Sequence, residues 1–165
     1  MMTNKIVIAN SKFANYGKST SVRYVFEILS SHYPYRVIKP ATGIYDSSQD
    51  VEAIIEMPQT DGHIVKVGIE SMGDPEPTKR LKSSIDHFVA IGCEIILVSC
   101  RTKGDTVSYV NDLRRLHQYQ IIWFDNSTMK VDSWNRSLTN QDAILQDRLS
   151  RDYGFYVASL IERLV

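Results

Sequence analysis

Residues 5–29, KIVIANSKFANYGKSTSVRYVFEIL, constrain the fold of this chain more than any other stretch. The run KIVIA over 5–9 is β-branched and apolar, which predicts a buried strand. A polar loop follows and ends in Gly17-Lys18-Ser19-Thr20. Apolar residues then recur at Val22, Val25, Phe26 and Leu29, the spacing of one helix face. A strand, a loop and a helix opening on GKST form an anion site, because backbone N–H groups converge at the helix N-terminus and its dipole favours negative charge. Lys18 is expected on the β- and γ-phosphates of a nucleotide and the Ser19 hydroxyl on Mg²⁺. Lys12, Tyr16, Gly17 and Thr20 complete the expected phosphate-binding loop. The position five residues before Gly17, where the pattern has glycine, holds Lys12. An alternative therefore stays open, in which Ser19 or Thr20 simply caps a helix that follows a strand.

The chain's 165 residues suit one domain over 1–165, large enough for a proper core. Its 19 basic and 19 acidic side chains cancel, so nothing advertises a general nucleic-acid or anionic-membrane surface. No apolar run approaches the roughly 20 residues that span a bilayer. The N-terminal MMTNKIVIANSK lacks a secretory apolar region and leads into the first strand, which gives a cytoplasmic expectation. Cys93 and Cys100 fit neither a metal knuckle nor a disulfide framework and are expected as core thiols.

Farther along, RVIK over 36–39 predicts a short strand ending at Pro40, and 41–50 a polar loop. Two β-like runs, 51–57 and 63–69, flank Pro-Gln-Thr-Asp-Gly and predict an antiparallel hairpin. A helix is expected over 78–91, with Leu81, Ile85, Phe88 and Val89 on one face and Gly92 as its stop. A strand over 93–99, a helix over 106–117 and a strand over 120–124 follow. A long C-terminal helix is expected, repeating apolar residues at Leu145, Leu149, Tyr156, Leu160 and Leu164, with Gly154 weakening it locally. The alternation predicts an α/β fold, a mostly parallel sheet with helices on both faces and one antiparallel strand from the hairpin. Ligands in such sheets bind beyond the carboxyl ends of the strands. That edge gathers the polar tails 11–19, 39–43, 70–74, 99–105 and 125–127.

Four of these stretches resemble P-loop NTPases of the dethiobiotin synthetase-like group, relatives of the MinD and ParA ATPases. Gly17-Lys18-Ser19 looks like the phosphate loop. Lys39-Pro40-Ala41-Thr42-Gly43 looks like an element that brings a lysine to substrate and phosphate. Glu70-Ser71-Met72-Gly73 is similar to one whose glutamate helps hold Mg²⁺, and Trp123-Phe124-Asp125-Asn126 to the strand end whose asparagine reads adenine. The resemblance implies ATP and Mg²⁺ as ligands, Lys18, Lys39 and Glu70 as catalytic residues, Ser19, Glu70 and Asp74 at the metal, and Asn126 at the base. A small-molecule acceptor or protein partner and a homodimer contact belong to the same expectation. Only 30 residues separate Lys39 from Glu70, where that family builds acceptor-site helices, and this chain has a hairpin instead.

The residues also carry plainer readings. Lys39 can be a solvated strand-end lysine, and Asn126 a turn residue in Asp-Asn-Ser. Arg101 and Lys103 are either surface charges or neutralisers of a phosphoryl group. Three functions remain open at this point: an ATPase or ATP-dependent phosphotransferase, a non-catalytic nucleotide switch, and an interaction protein that keeps the fold without the ligand.

Overall fold

The computed structural model describes residues 4–11, 18–73, 79–125 and 140–165. They form one six-stranded sheet and four helices in the order β1 (Ile6–Ser11), α1 (Lys18–Ser30), β2 (Tyr35–Lys39), β3 (Glu52–Pro58), β4 (Ile64–Glu70), α2 (Arg80–Ala90), β5 (Ile95–Cys100), α3 (Asp105–His117), β6 (Gln120–Asp125) and α4 (Asn140–Leu164). The strand order across the sheet is β2-β3-β4-β5-β1-β6. β4, β5, β1 and β6 are parallel neighbours, whereas β3 runs antiparallel to both β2 and β4. The expected α/β class, the helices on both faces and the hairpin are all present.

β1 and β5 are central and buried along their whole length, IVIANS and IILVSC. Strands covered on both faces need near-continuous apolar runs, and these two supply them. Ile6, Ile8, Ile95 and Leu97 point to the face covered by α1 and α4, through Val22, Val25, Phe26, Leu29, Tyr153, Val157 and Ile161. Val7, Ala9, Ile96 and Val98 point to the opposite face, under Leu81, Ile85 and Phe88 of α2 and Val110 and Leu113 of α3. Each such aliphatic side chain contributes about 1.5–3 kcal/mol by leaving water. Cys93 and Cys100 are both fully buried, as core thiols should be, and burial pushes the Cys93 thiol up to about 12.

α2 ends as its sequence predicts. Gly92 takes φ +76°, and its N–H donates to the Val89 carbonyl. Within β4, Gly68 lies under Phe88, whose ring would stand 2.5 Å from any Cβ placed there.

The apolar repeat of α4 is only partly turned inward: Leu149 and Leu160 are half-buried, Leu160 against the core. Leu145, Tyr156 and Leu164 are exposed, Tyr156 by 62%, and the stripe turned inward is Ser150, Tyr153, Val157, Ala158 and Ile161. Small residues explain the difference. A Cβ at Gly154 would lie 2.7 Å from the Tyr24 Cβ and 3.2 Å from the Ser21 carbonyl oxygen, so α4 meets α1 at near backbone contact. Gly154, Ser150 and Ala158 set that approach, and a count of large apolar residues passes over them.

Candidate functional site

The chain leaves β1 through α1 on one face of the sheet and leaves β5 through α3 on the other. The connection from β1 travels toward β2, and that from β5 crosses to β6. The strand order thus reverses between β1 and β5, and the crevice at their carboxyl ends is where sheets of this kind hold ligands. Ser11 and Cys100 stand side by side there, and the Ser11 hydroxyl donates to the Arg101 carbonyl at 3.3 Å. The Arg101 N–H in turn donates to Thr106 Oγ1 at 3.0 Å, which ties the loop after β5 to the first turn of α3. On the other side of β1, Asp125 pairs in register with Ser11.

α1 begins at Lys18, and its first turn contains no acidic residue, unlike that of α3, which carries Asp105. Lys18, Ser19 and Thr20 therefore occupy an N-terminal turn whose dipole no acid of its own offsets. Lys12, Tyr16, Gly17, Asp74 and Asn126 lie outside the described residues. Ser19 and Thr20 are half-buried.

A side chain that the sequence reading passed over reaches this turn. Arg23 leans back toward the helix start, as helical side chains do, and its guanidinium donates to Thr20 Oγ1 at 3.2 Å and to Asp50 Oδ1 at 3.4 Å. The Ser71 hydroxyl donates to the same Asp50 oxygen at 2.8 Å and accepts from the Val51 N–H at 2.9 Å. Asp50, read as part of a polar loop, thus joins α1 to the residue that follows Glu70. Tyr45 holds the middle of the same loop, donating its hydroxyl to Glu27 at 2.5 Å while its ring packs on Phe26.

Glu70 is fully buried at the end of β4, one strand farther from β1 than β5 is. Two strand spacings, roughly 10 Å, separate those chain ends. Its carboxylate accepts from Arg80 Nε at 3.1 Å, from Ser84 Oγ at 2.6 Å and from the Met72 N–H at 2.9 Å, and Arg80 Nη2 stands 3.1 Å from the second oxygen. Three donated hydrogen bonds and the close Arg80 charge thus occupy most of what a carboxylate can accept. Burial raises the Glu70 carboxyl above its ordinary value, outweighing the Arg80 guanidinium, the Ser84 hydroxyl and the Met72 N–H, which favour the charge. Glu70 serves here as the buried counter-ion of α2. A divalent cation at this carboxylate would have to displace Arg80 and Ser84.

Lys39 ends β2, an edge strand four positions from β1, a separation of roughly 19 Å. Its ammonium lies 3.1 Å from the buried Glu52 carboxylate, which stands directly across from Glu70. Lys39 is thus engaged within the β2–β3 ribbon. The order β2-β3-β4-β5-β1 puts three strands between β2 and β1. Among the described residues no group of three or more His, Cys, Asp or Glu side chains is placed to hold a metal ion. Of the expected Mg²⁺ set, Glu70 is engaged by Arg80 and Ser84, Ser19 lies in the first turn of α1, and Asp74 lies outside the described residues. Comparison with protein-family models, curated proteins and solved structures gave no match.

Proposed function

We propose that this chain binds the phosphates of a nucleotide at the start of α1 and acts as a nucleotide-responsive binding module rather than as a phosphotransferase. The observation that carries the reading is the acid-free Lys18-Ser19-Thr20 turn, opening beside β1 at the reversal of strand order. Arg23 adds a guanidinium to that turn, and its link through Asp50 to Ser71 offers a route by which an arriving phosphate draws Arg23 away and loosens the 41–50 loop. The engaged Glu70 carboxylate and the Lys39–Glu52 ion pair favour this reading over turnover. ATP is the proposed nucleotide, with Asn126, the residue after β6, reading adenine.

The test is thermal melting with ATP, ADP and GTP, each with and without Mg²⁺, on the wild type and Lys18→Ala. A ligand at a hundredfold its dissociation constant adds about 2.7 kcal/mol to the native state. ATP or ADP should raise the melting temperature in the wild type and far less in Lys18→Ala. No shift with any nucleotide would leave the fold as a scaffold without this ligand.

A further inference from the structure

α2 and α3 pack over β4, β5, β1 and β6, and the β2–β3 ribbon extends beyond them on that face. A cleft of about 350 Å³ opens there, at the edge of the sheet opposite the GKST turn, where α2 ends and β2 begins. Ile54 forms its floor and is only 3% exposed. Pro34 and Ile91 add apolar wall, and Arg36, Glu56 and Lys66 supply charge. The register explains the convergence. Arg36 pairs with Ile54 and Glu56 with Lys66, so all four side chains project from one face.

The three charges are not equivalent. Lys66 donates to the Ile91 carbonyl at 3.3 Å and is tied to the carbonyl end of α2. Arg36 and Glu56 have no side-chain partner among the described residues and are not paired with each other. They are diagonal neighbours across two strands, about 7–8 Å apart at Cα, so one small molecule can bridge them. An anion alone would face Glu56, and a cation alone would face Arg36 and Lys66. A cleft of this size, with apolar residues at its floor and wall and three charged side chains around them, has room for a small molecule.

We propose that the cleft binds a small zwitterion, an α-amino acid with an apolar side chain. Its carboxylate meets Arg36, its ammonium meets Glu56, and its side chain lies on Ile54 and Pro34. This site does not depend on the nucleotide reading, since it uses none of the same residues.

Calorimetric titration of the full chain tests it with L-leucine, L-phenylalanine, N-acetyl-L-leucine, which lacks the ammonium, and L-leucinamide, which lacks the carboxylate. At least one amino acid should bind, and each charge-deleted leucine should bind roughly tenfold or more weakly. Arg36→Gln should erase the gap between leucine and leucinamide, and Glu56→Gln the gap between leucine and N-acetyl-leucine. Both positions are exposed, so the variants should melt like the wild type. Absence of binding by both amino acids up to millimolar concentration overturns the proposal. So do equal affinities for the three leucine forms, or variants that weaken all three alike.

Discussion

The two halves of this sheet solve the problem of covering a strand differently. β5, β1 and β6 are parallel and lie between helices, and their side chains are apolar on both faces in the two central strands. β2 and β3 are antiparallel and fully clad only on the α1 side, and their other face carries the exposed Arg36 and Glu56 and the Lys39–Glu52 pair around Ile54, which joins the margin of the α2–α3 core. β4 is the seam, where Gly68 accepts Phe88 and Glu70 accepts Arg80 and Ser84. A crossover helix between β2 and β3 would have covered the second half. A hairpin cannot, so polar side chains and their pairings do that work.

The largest expected effect comes from breaking the seam. Arg80→Ala leaves the buried Glu70 charge without its counter-ion and should destabilise by about 3–5 kcal/mol near neutral pH, read by urea denaturation. The loss should shrink in acid, where Glu70 takes up a proton. In the wild type the Glu70 carboxyl lies above its ordinary 4.5 in the folded state. The native state therefore holds that proton more tightly than the unfolded chain does. The associated stability is complete below the ordinary value and is lost as pH rises through the raised one. Glu70→Gln should flatten that part of the pH–stability curve, and an unchanged slope would show that another group sets it.

The clad half should be sensitive to size instead of charge. Gly154→Val inserts atoms where α1 and α4 are at near contact, and overpacking of this kind costs about 1–3 kcal/mol. Gly154→Ala should cost less, so the pair of melts measures how far the two helices can part.

The smallest effect lies at the candidate site. Asp50→Asn removes the charge facing Arg23, in a pair whose side chains are 19% and 26% exposed. Solvent screening holds the expected change to about 0.2–1 kcal/mol. Its effect on nucleotide affinity should be in the opposite direction, because Arg23 is then freer to meet phosphate. Weaker ATP binding in Asp50→Asn would contradict that role.

Much of the fold was legible because each half announces its burial. IVIANS and IILVSC read as strands covered on both faces, and the Pro-Gln-Thr-Asp-Gly break read as a hairpin. Gly92 marked the end of α2. The buried stripe of α4 was missed because Gly154, Ser150 and Ala158 carry no large apolar signal, although they decide how close α1 comes. The site was less legible, for reasons of distance along and across the sheet. Strand order is not written in local periodicity, so nothing in the sequence placed three strands between β2 and β1. The partner of Glu70 is Arg80, ten residues on and on another element. Asp50 had one usable signal. The hairpin register that sets Glu52 opposite Glu70 also brings 51 beside 71, which places Asp50 next to Ser71.

Cys93 and Cys100 flank the central strand β5, fully buried, with the Cys93 thiol held near 12. A thiol must ionise and meet its reagent to react; both cysteines are shut off from reagent while β5 is enclosed, and burial also keeps the Cys93 thiol protonated. Alkylation of this chain therefore works as a clock: each modified molecule is one whose central strand has come open. Comparing the label at the two ends of the strand would tell whether it opens from one end first or as a unit.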